Sequence, residues 1–503
     1  MIRGIKTLLK RFDSVLPAIT KCLLLFSWIF LFVGVIAHYQ GSWVTYTVFS
    51  VVFFTLLLSG FYRQISYGYL FLVIMLWLGF WLKFTIFLLL KYPFEEPVGF
   101  FIGTPASWDQ VLLIASVGGV GVLIGRVMYG MLNNSSSMVV SPGTLQAPEW
   151  YTAIRRVAWT VLVLTCLGLV FINTSLGIEQ IGLAPRTVLW WHLGALVSWL
   201  VTTGVAIFFS TLLWWDVVLG RNISLVVYLI LFEAFMETFT LLSRGIAVFH
   251  VLPQFFALFK NRNHIKNWSW ISTISLGGSF IALLMFSFPV VNLLRNHYYN
   301  LPLTPPSPTS PMQGHLAKNI NGKGHNPLLR KAYQELQELP RFAVYRWMGL
   351  EGLMAVSAYP QKSAHLLLRG LTEHRKVGKN TLYQEICQSG YRIMDTTKYE
   401  FASLPGAIGF LYFSGSLWVV ASGMAILAII ILFSENLILK FTNNPILSAL
   451  CAGIISNALV QLGVDVVGLV IYFLEMFCGI AAIWFIQSKY FTIICQRCGL
   501  LRQ

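Results

Sequence analysis

One kind of segment fills most of this chain: apolar runs about as long as the hydrocarbon core of a bilayer is thick. They lie at roughly 16–37, 43–61, 67–90, 110–132, 155–174, 188–211, 223–242, 246–260, 268–293, 405–433, 446–464 and 467–487. About twenty apolar residues in a helix cross that core. Inside lipid, only a helix or a closed barrel satisfies its own backbone groups. Charged residues make up 11% of the chain, against about 25% in a soluble domain. So few charges cannot cover the surface of a water-soluble protein of 503 residues. The expected fold is an all-α polytopic membrane protein with about twelve transmembrane helices. The eighth run contains Pro253 and is short, which fits a tilted or re-entrant segment.

A single polar stretch interrupts the pattern. Residues 295–403 separate an N-terminal membrane block, 1–294, from a C-terminal block with its tail, 404–503. Arg63, Arg155, Arg156, Arg221, Lys260, Arg262 and Lys266 fall in alternate short loops, and Lys489, Arg497 and Arg502 in the tail. The intervening loops hold Glu95, Glu96 and Asp109, or few charges. Basic residues concentrate on the cytoplasmic side. Both termini are therefore expected in the cytoplasm and the long loop outside. Arg3, Lys6, Lys10 and Arg11 precede the first apolar run, which is too long for a signal peptide's core and reads as an uncleaved span.

The long loop carries fourteen Lys and Arg against seven acidic residues. Long loops are exempt from the charge rule, so this excess is available for an anion at the outer membrane surface. The net charge of +16 is read the same way, as topology plus affinity for anionic lipid or lipid-linked phosphate, with no nucleic-acid partner. Within the loop, five prolines between Pro302 and Pro311 predict an extended linker, and helices are expected near 326–339, 343–357, 363–375 and 381–394 as a cap over the spans. Cys387 is the loop's single cysteine, so the loop closes no disulfide on itself. Cys495-x-x-Cys498 is a lone pair, short of the four ligands of a structural zinc site. No His, Asp and Glu residues share metal-ligand spacing along the sequence, and no metal or cofactor is expected.

Ionisable residues inside spans are costly and usually face the bundle interior. Glu233, Glu237 and Arg244 follow at steps of four and seven, which return to one helix face, with Thr240 between them. Two readings stand: an ion pair that orients helices, or an outer-surface anion site with Arg244 on phosphate and a carboxylate nearby. Lys83 and Arg126 fit interior or snorkelling positions, Asp465 an outer turn, and His192 and His250 satisfied core histidines. Glu475 lies deeper with no partner to name. A second constellation, Arg341-Phe-Ala-Val-Tyr-Arg346-Trp-Met-Gly349-Leu-Glu351-Gly352, places two arginines and a carboxylate on one short helix. It fits either a helix lying on the membrane or a phosphate clamp with a base.

Ser243-Arg244-Gly245 at the outer end of a span resembles the Ser-Arg-Gly signature of O-antigen polymerases and ligases. Leu404-Pro-Gly-Ala-Ile-Gly-Phe-Leu-Tyr412-Phe-Ser-Gly415, after the long loop, is similar to the post-loop segment of Wzy-type oligosaccharide repeat-unit polymerases. Arg346-Trp-Met-Gly, and the Arg341-x10-Gly352 spacing, look like loop arginine motifs of the same group. The resemblance implies a GT-C-like membrane glycosyltransferase of the bacterial inner membrane. Its partners would be a polyprenyl-diphosphate-linked glycan, membrane lipid and a chain-length regulator. Arg244, Arg346 and Arg341, with Ser243 and Tyr412, would bind substrate, and Glu351 or Glu237 would act as base. Arginines would offset the charge on the diphosphate leaving group, so no metal is required. A transporter or flippase for lipid-linked sugars is the alternative, although nine spans before the loop against three after it do not divide into two halves. An O-antigen ligase is the other, and His297, His315, His325, His365 and His374 are its candidate loop histidines.

Overall fold

The computed structural model describes residues 25–61, 66–91, 94, 96–133, 147–190, 193–262, 265, 268, 270–299, 347, 349–374, 377–400, 403–462 and 465–497. The described residues are mostly helical, and among them eight helices are long and apolar enough to cross a membrane. They are α2 (Trp43–Gly60), α3 (Tyr67–Leu90), α4 (Pro105–Leu132), α5 (Glu149–Leu176), α6 (Leu193–Val218), α9 (Ile271–Tyr299), α14 (Leu417–Thr442) and α16 (Val466–Gln487). Two shorter apolar helices, α1 (Leu25–Ile36) and α15 (Pro445–Gln461), accompany them. Helices α7 (Ser224–Thr240) and α8 (Arg244–Lys260), of 17 residues each, form a hairpin.

Backbone contacts fix which loops share an end of the bundle. The strands β1 (Gly182–Leu183) and β2 (Tyr399–Glu400) pair antiparallel. They join the loop after α5 to the end of the long polar stretch. The Ile181 amide donates to the Leu241 carbonyl at 3.0 Å, beside the α7–α8 turn. The Tyr299 hydroxyl, at the end of α9, donates to the Ile181 carbonyl, and the Tyr399 hydroxyl donates to the Tyr299 carbonyl at 2.6 Å. The Gly99 amide donates to the Cys387 carbonyl at 3.1 Å. So the loops after α3 and α5, the α7–α8 turn and the described part of the polar stretch all meet at one end. The opposite end gathers the Trp214 indole on the Asn443 carbonyl, at 3.0 Å, and Lys260 over the Tyr67 ring.

Lipid supplies no hydrophobic drive for helices to associate, so close backbone approach at small residues does that work. Helix α4 carries Gly121 and Gly125 one turn apart. A Cβ built at these positions would lie 2.3 Å from the Ala421 carbonyl oxygen and 2.4 Å from that of Ala425, both on α14. Gly125→Leu should therefore force α4 and α14 apart and lower the melting temperature in detergent, whereas Gly130→Leu, with nothing within 4 Å of its Cβ, should not. Equal melting temperatures for the two variants would remove this contact from the account.

The polar stretch folds partly as its sequence indicates. Ser363 caps α11 (Ala364–Thr372), accepting from the Leu366 amide. Thr381 and Gln384 form a capping box at α12 (Leu382–Ile386). The expected fourth helix ends there and resumes as a 3-10 turn, Gly390–Ile393. The helix expected at 326–339 and the linker before it lie outside the described residues. Of the helix expected at 343–357, the described part is α10 (Leu350–Ala358), which follows Gly349 at φ 142°. Leu350 to Ser357 are all buried, and a Cβ at Gly352 would sit 2.2 Å from the Pro405 carbonyl oxygen. The described part of this segment is packed inside protein, while Arg341 and Arg346, on which the membrane-surface reading turned, lie outside the described residues.

The expected span 405–433 is also corrected. It is two helices, α13 (Gly406–Leu411) and α14, separated by a 3-10 turn at Tyr412–Ser414 and by Gly415 in the left-handed region at φ 71°. Burial pushes the Cys387 thiol up to about 11, and its side chain is fully enclosed. Because the thiolate is the nucleophile, maleimide at neutral pH should leave Cys387 unmodified until the protein is denatured. Labelling of Cys387 in the native protein would contradict the docking of this segment.

Candidate functional site

Among the described residues, buried carboxylates form four groups inside the bundle, and in three of them each acid has a cation or several donors against it. Glu435 accepts from the Ser66 hydroxyl at 2.5 Å and from the Tyr67 and Gly68 amides, both at 2.8 Å. It thus caps the start of α3, where an anion is favoured. Asp216 receives both forks of Arg155, at 2.5 and 2.7 Å, with the Tyr151 hydroxyl at 2.9 Å and the Trp159 indole at 3.1 Å. Glu351 pairs with Lys83 at 2.5 Å, and Lys83 also donates to the Trp347 carbonyl at 2.9 Å.

The fourth group is different. Glu233 and Glu237 on α7 face His250 on α8, and all three are buried. His250 Nδ1 lies 3.0 Å from Glu237 Oε2 and 3.3 Å from Glu233 Oε1. Its Nε2 lies 3.1 Å from the Thr202 carbonyl. A carbonyl only accepts, so Nε2 carries a proton and donates it there. Glu233 Oε2 and Glu237 Oε1, the oxygens turned away from the imidazole, have no hydrogen-bond partner. Gln254, one turn beyond His250, spends its amide nitrogen on the His250 carbonyl at 2.9 Å and leaves its buried oxygen without a partner. Unsatisfied buried groups of this kind cost about 1–3 kcal/mol each, and here two carboxylates share a single imidazole, an imbalance that the other three groups do not have.

Local structure explains the cluster. Glu233 and Glu237 share a face of α7 because they are one turn apart. The chain then reverses within three residues. Leu242 takes a left-handed conformation at φ 55°, the Ser243 amide donates to the Thr238 carbonyl at 3.0 Å, and Arg295 donates twice to the Leu242 carbonyl, at 2.9 and 2.6 Å. Counting 1.5 Å per residue, Glu233 lies about 10 Å below the turn and His250 about 9 Å below it, so they meet at one depth. Across from them, α6 widens into a π-helical turn at Leu200–Gly204, an irregularity common at functional sites, and the Thr202 carbonyl is within it.

This reversal corrects the expectation that Glu233, Glu237 and Arg244 line one helix face. Arg244 is the first residue of a separate helix. Its guanidinium donates to the Asn292 amide oxygen and lies 4.7 Å over the Phe288 ring, both on α9. Ser243 precedes it as the N-cap residue, with no side-chain capping bond. The reading that no His, Asp and Glu residues are arranged as metal ligands is corrected as well. Glu233, Glu237 and His250 each offer a ligand atom, all within 4.8 Å of one another. Sequence spacing missed them because they come from both arms of a hairpin.

The remaining expected residues lie apart from these. Tyr412 and the neighbours of Glu351, Leu350 and Leu353, belong to a core built mainly on α1 to α4, α10, α13 and α14. The residues around Glu237 and His250 belong to a second core built on α5 to α9. Helix α15 contributes to both. Tyr412 is buried, with its ring 5.8 Å from Lys362 Nζ and its hydroxyl 3.4 Å from the Gln110 amide nitrogen. Arg341 and Arg346 lie outside the described residues. Lys83, read as interior or snorkelling, is interior and paired. Arg126 lies 4.5 Å over the Tyr69 ring, and Asp465 caps α16 and faces His374 at 3.3 Å. No family model, curated protein or solved structure matches this chain.

Proposed function

We propose that the protein is a membrane glycosyltransferase that polymerises polyprenyl-diphosphate-linked repeat units at the outer face of the bacterial inner membrane. Twelve helices cross in this reading: the eight long ones, α1, α15 and both arms of the α7–α8 hairpin. The observation that carries it is Arg244 at the start of α8, at the end of the bundle where the long polar stretch docks. A cation at a helix N-terminus opposes the helix dipole by about 0.3–1 kcal/mol, and an anion bound beside Arg244 would offset that cost. The uncapped first turn of α8 offers backbone N–H groups to the same anion, and the planar guanidinium matches two phosphate oxygens.

In the reaction, a sugar hydroxyl on one lipid-linked unit attacks the anomeric carbon of the other. The bond from that carbon to the diphosphate breaks, the polyprenyl diphosphate leaves with the bonding electrons, and the proton of the attacking hydroxyl passes to water at the outer surface. Arg244 and the arginines of the Arg341–Arg346 segment stabilise that growing charge. Glu351 is buried against Lys83 and Glu237 lies well below the turn, so neither is placed as a base for an acceptor in water. Glu351 instead positions the chain at Trp347, next in sequence to Arg346.

Deleting the gene tests this reading. The surface glycan should collapse to a single repeat unit on its lipid anchor, and re-expression should restore the ladder. An unchanged ladder would contradict the proposal. Complete loss of surface glycan would favour the second reading, a transporter of lipid-linked sugars, which the buried Glu233–Glu237–His250 cluster supports because such groups inside a bundle mark ion pathways.

A further inference from the structure

We infer that Glu233, Glu237 and His250 form an intramembrane binding site for one divalent transition-metal ion of the zinc class. The donor set comes first. One imidazole nitrogen and two carboxylates are borderline ligands that suit zinc and its neighbours in the first transition row. Three protein ligands with a further position open is the arrangement of zinc sites that exchange a ligand.

The geometry agrees with that donor set. Zinc–nitrogen and zinc–oxygen distances are about 2.0–2.2 Å. Two such ligands at angles of about 95–110° lie about 3.1–3.4 Å apart. His250 Nδ1 is 3.0 Å from one carboxylate oxygen and 3.3 Å from the other.

The second contact of the imidazole points the same way. A metal-bound histidine nearly always donates its other ring N–H to a carbonyl or carboxylate, which fixes the ring and its tautomer. The Thr202 carbonyl takes that proton at 3.1 Å, which directs the Nδ1 lone pair of the neutral ring at the two carboxylates.

Satisfaction and charge complete the case. Glu233 Oε2 and Glu237 Oε1 are buried without hydrogen bonds, and a bound cation supplies the partner they need. Two carboxylates, a neutral imidazole and a divalent ion sum to zero charge at mid-depth in the bundle. The site stands independently of the glycan reading, since it involves neither Arg244 nor the long polar stretch.

The test is metal uptake by the full chain in nanodiscs, with Cys495→Ser and Cys498→Ser removing the thiol pair of the tail. After stripping and reloading with cobalt(II), the protein should retain one equivalent and show the visible absorption of a low-symmetry cobalt site. Zinc should displace the cobalt and raise the melting temperature. Glu237→Gln should lose the retained equivalent. His250→Cys should keep it and gain a thiolate-to-cobalt charge-transfer band, a signature that a merely misfolded variant does not produce. Failure of the parent protein to retain cobalt or zinc would overturn the site and leave a protonated imidazolium between carboxylates. Uptake that survives Glu237→Gln, with no new band in His250→Cys, would assign the metal elsewhere and overturn it equally.

Discussion

Lys83→Met is expected to destabilise the protein by about 3–5 kcal/mol, the range found when one partner of a buried ion pair is removed. Lys83 and Glu351 are 2% and 3% exposed, so solvent cannot compensate the carboxylate left behind. The Trp347 carbonyl loses its donor in the same step. The loss should appear as a lower melting temperature in detergent and as protease cleavage near Trp347, where α10 would no longer be held against α3. Replacing both residues, Lys83→Met with Glu351→Leu, should recover most of the stability, because an apolar pair of similar volume carries no desolvation cost. Glycan synthesis should still fall in the double variant if the pair's purpose is to position the segment before it. A single Lys83→Met variant as stable as the parent would show that the pair holds nothing.

The largest effect on activity is expected at Arg244. Arg244→Ala should abolish long glycan chains while leaving the protein at normal abundance in the membrane. Asn292 and Phe288, two of the groups it touches, lie at one end of α9, and the hairpin beneath it is held by Arg295 and the Leu241–Ser243 turn. Arg244→Lys separates charge from shape. Lysine keeps the positive charge but not the planar fork that grips two phosphate oxygens, so it should restore only short chains. A normal ladder from Arg244→Ala would remove the residue from the reaction.

Much of this architecture was legible in the sequence, because a bilayer leaves few choices. Runs such as Tyr67–Leu90 must be helical to satisfy their backbone, and their length marks them as spans. In the structure Ser363 and Asn444 each cap the helix that follows through ordinary capping chemistry, with Asn444 accepting from the Ile446 and Leu447 amides at 3.0 Å. The partnerships between elements were not legible. Nothing local links Lys83 to Glu351, 268 positions apart along the chain. Helical spacing joined Glu237 to Arg244 only because it assumed one continuous helix, and Leu242 ends that helix. The hairpin itself held the missing signal. Folding the sequence about Leu242 sets His250 opposite residue 234, level with Glu233. The break at Gly415 was visible as a glycine but not as a left-handed turn, since glycine tolerates either conformation.

The claim on which the functional account rests is that Arg244 binds a lipid diphosphate. The direct measurement is the affinity of a polyprenyl diphosphate for the full chain in nanodiscs, compared with Arg244→Ala. Charge-assisted hydrogen bonds contribute about 1.5–3 kcal/mol, so the substitution should weaken binding by about 10- to 100-fold, with no change in melting temperature. Equal affinity in the two proteins would contradict the account.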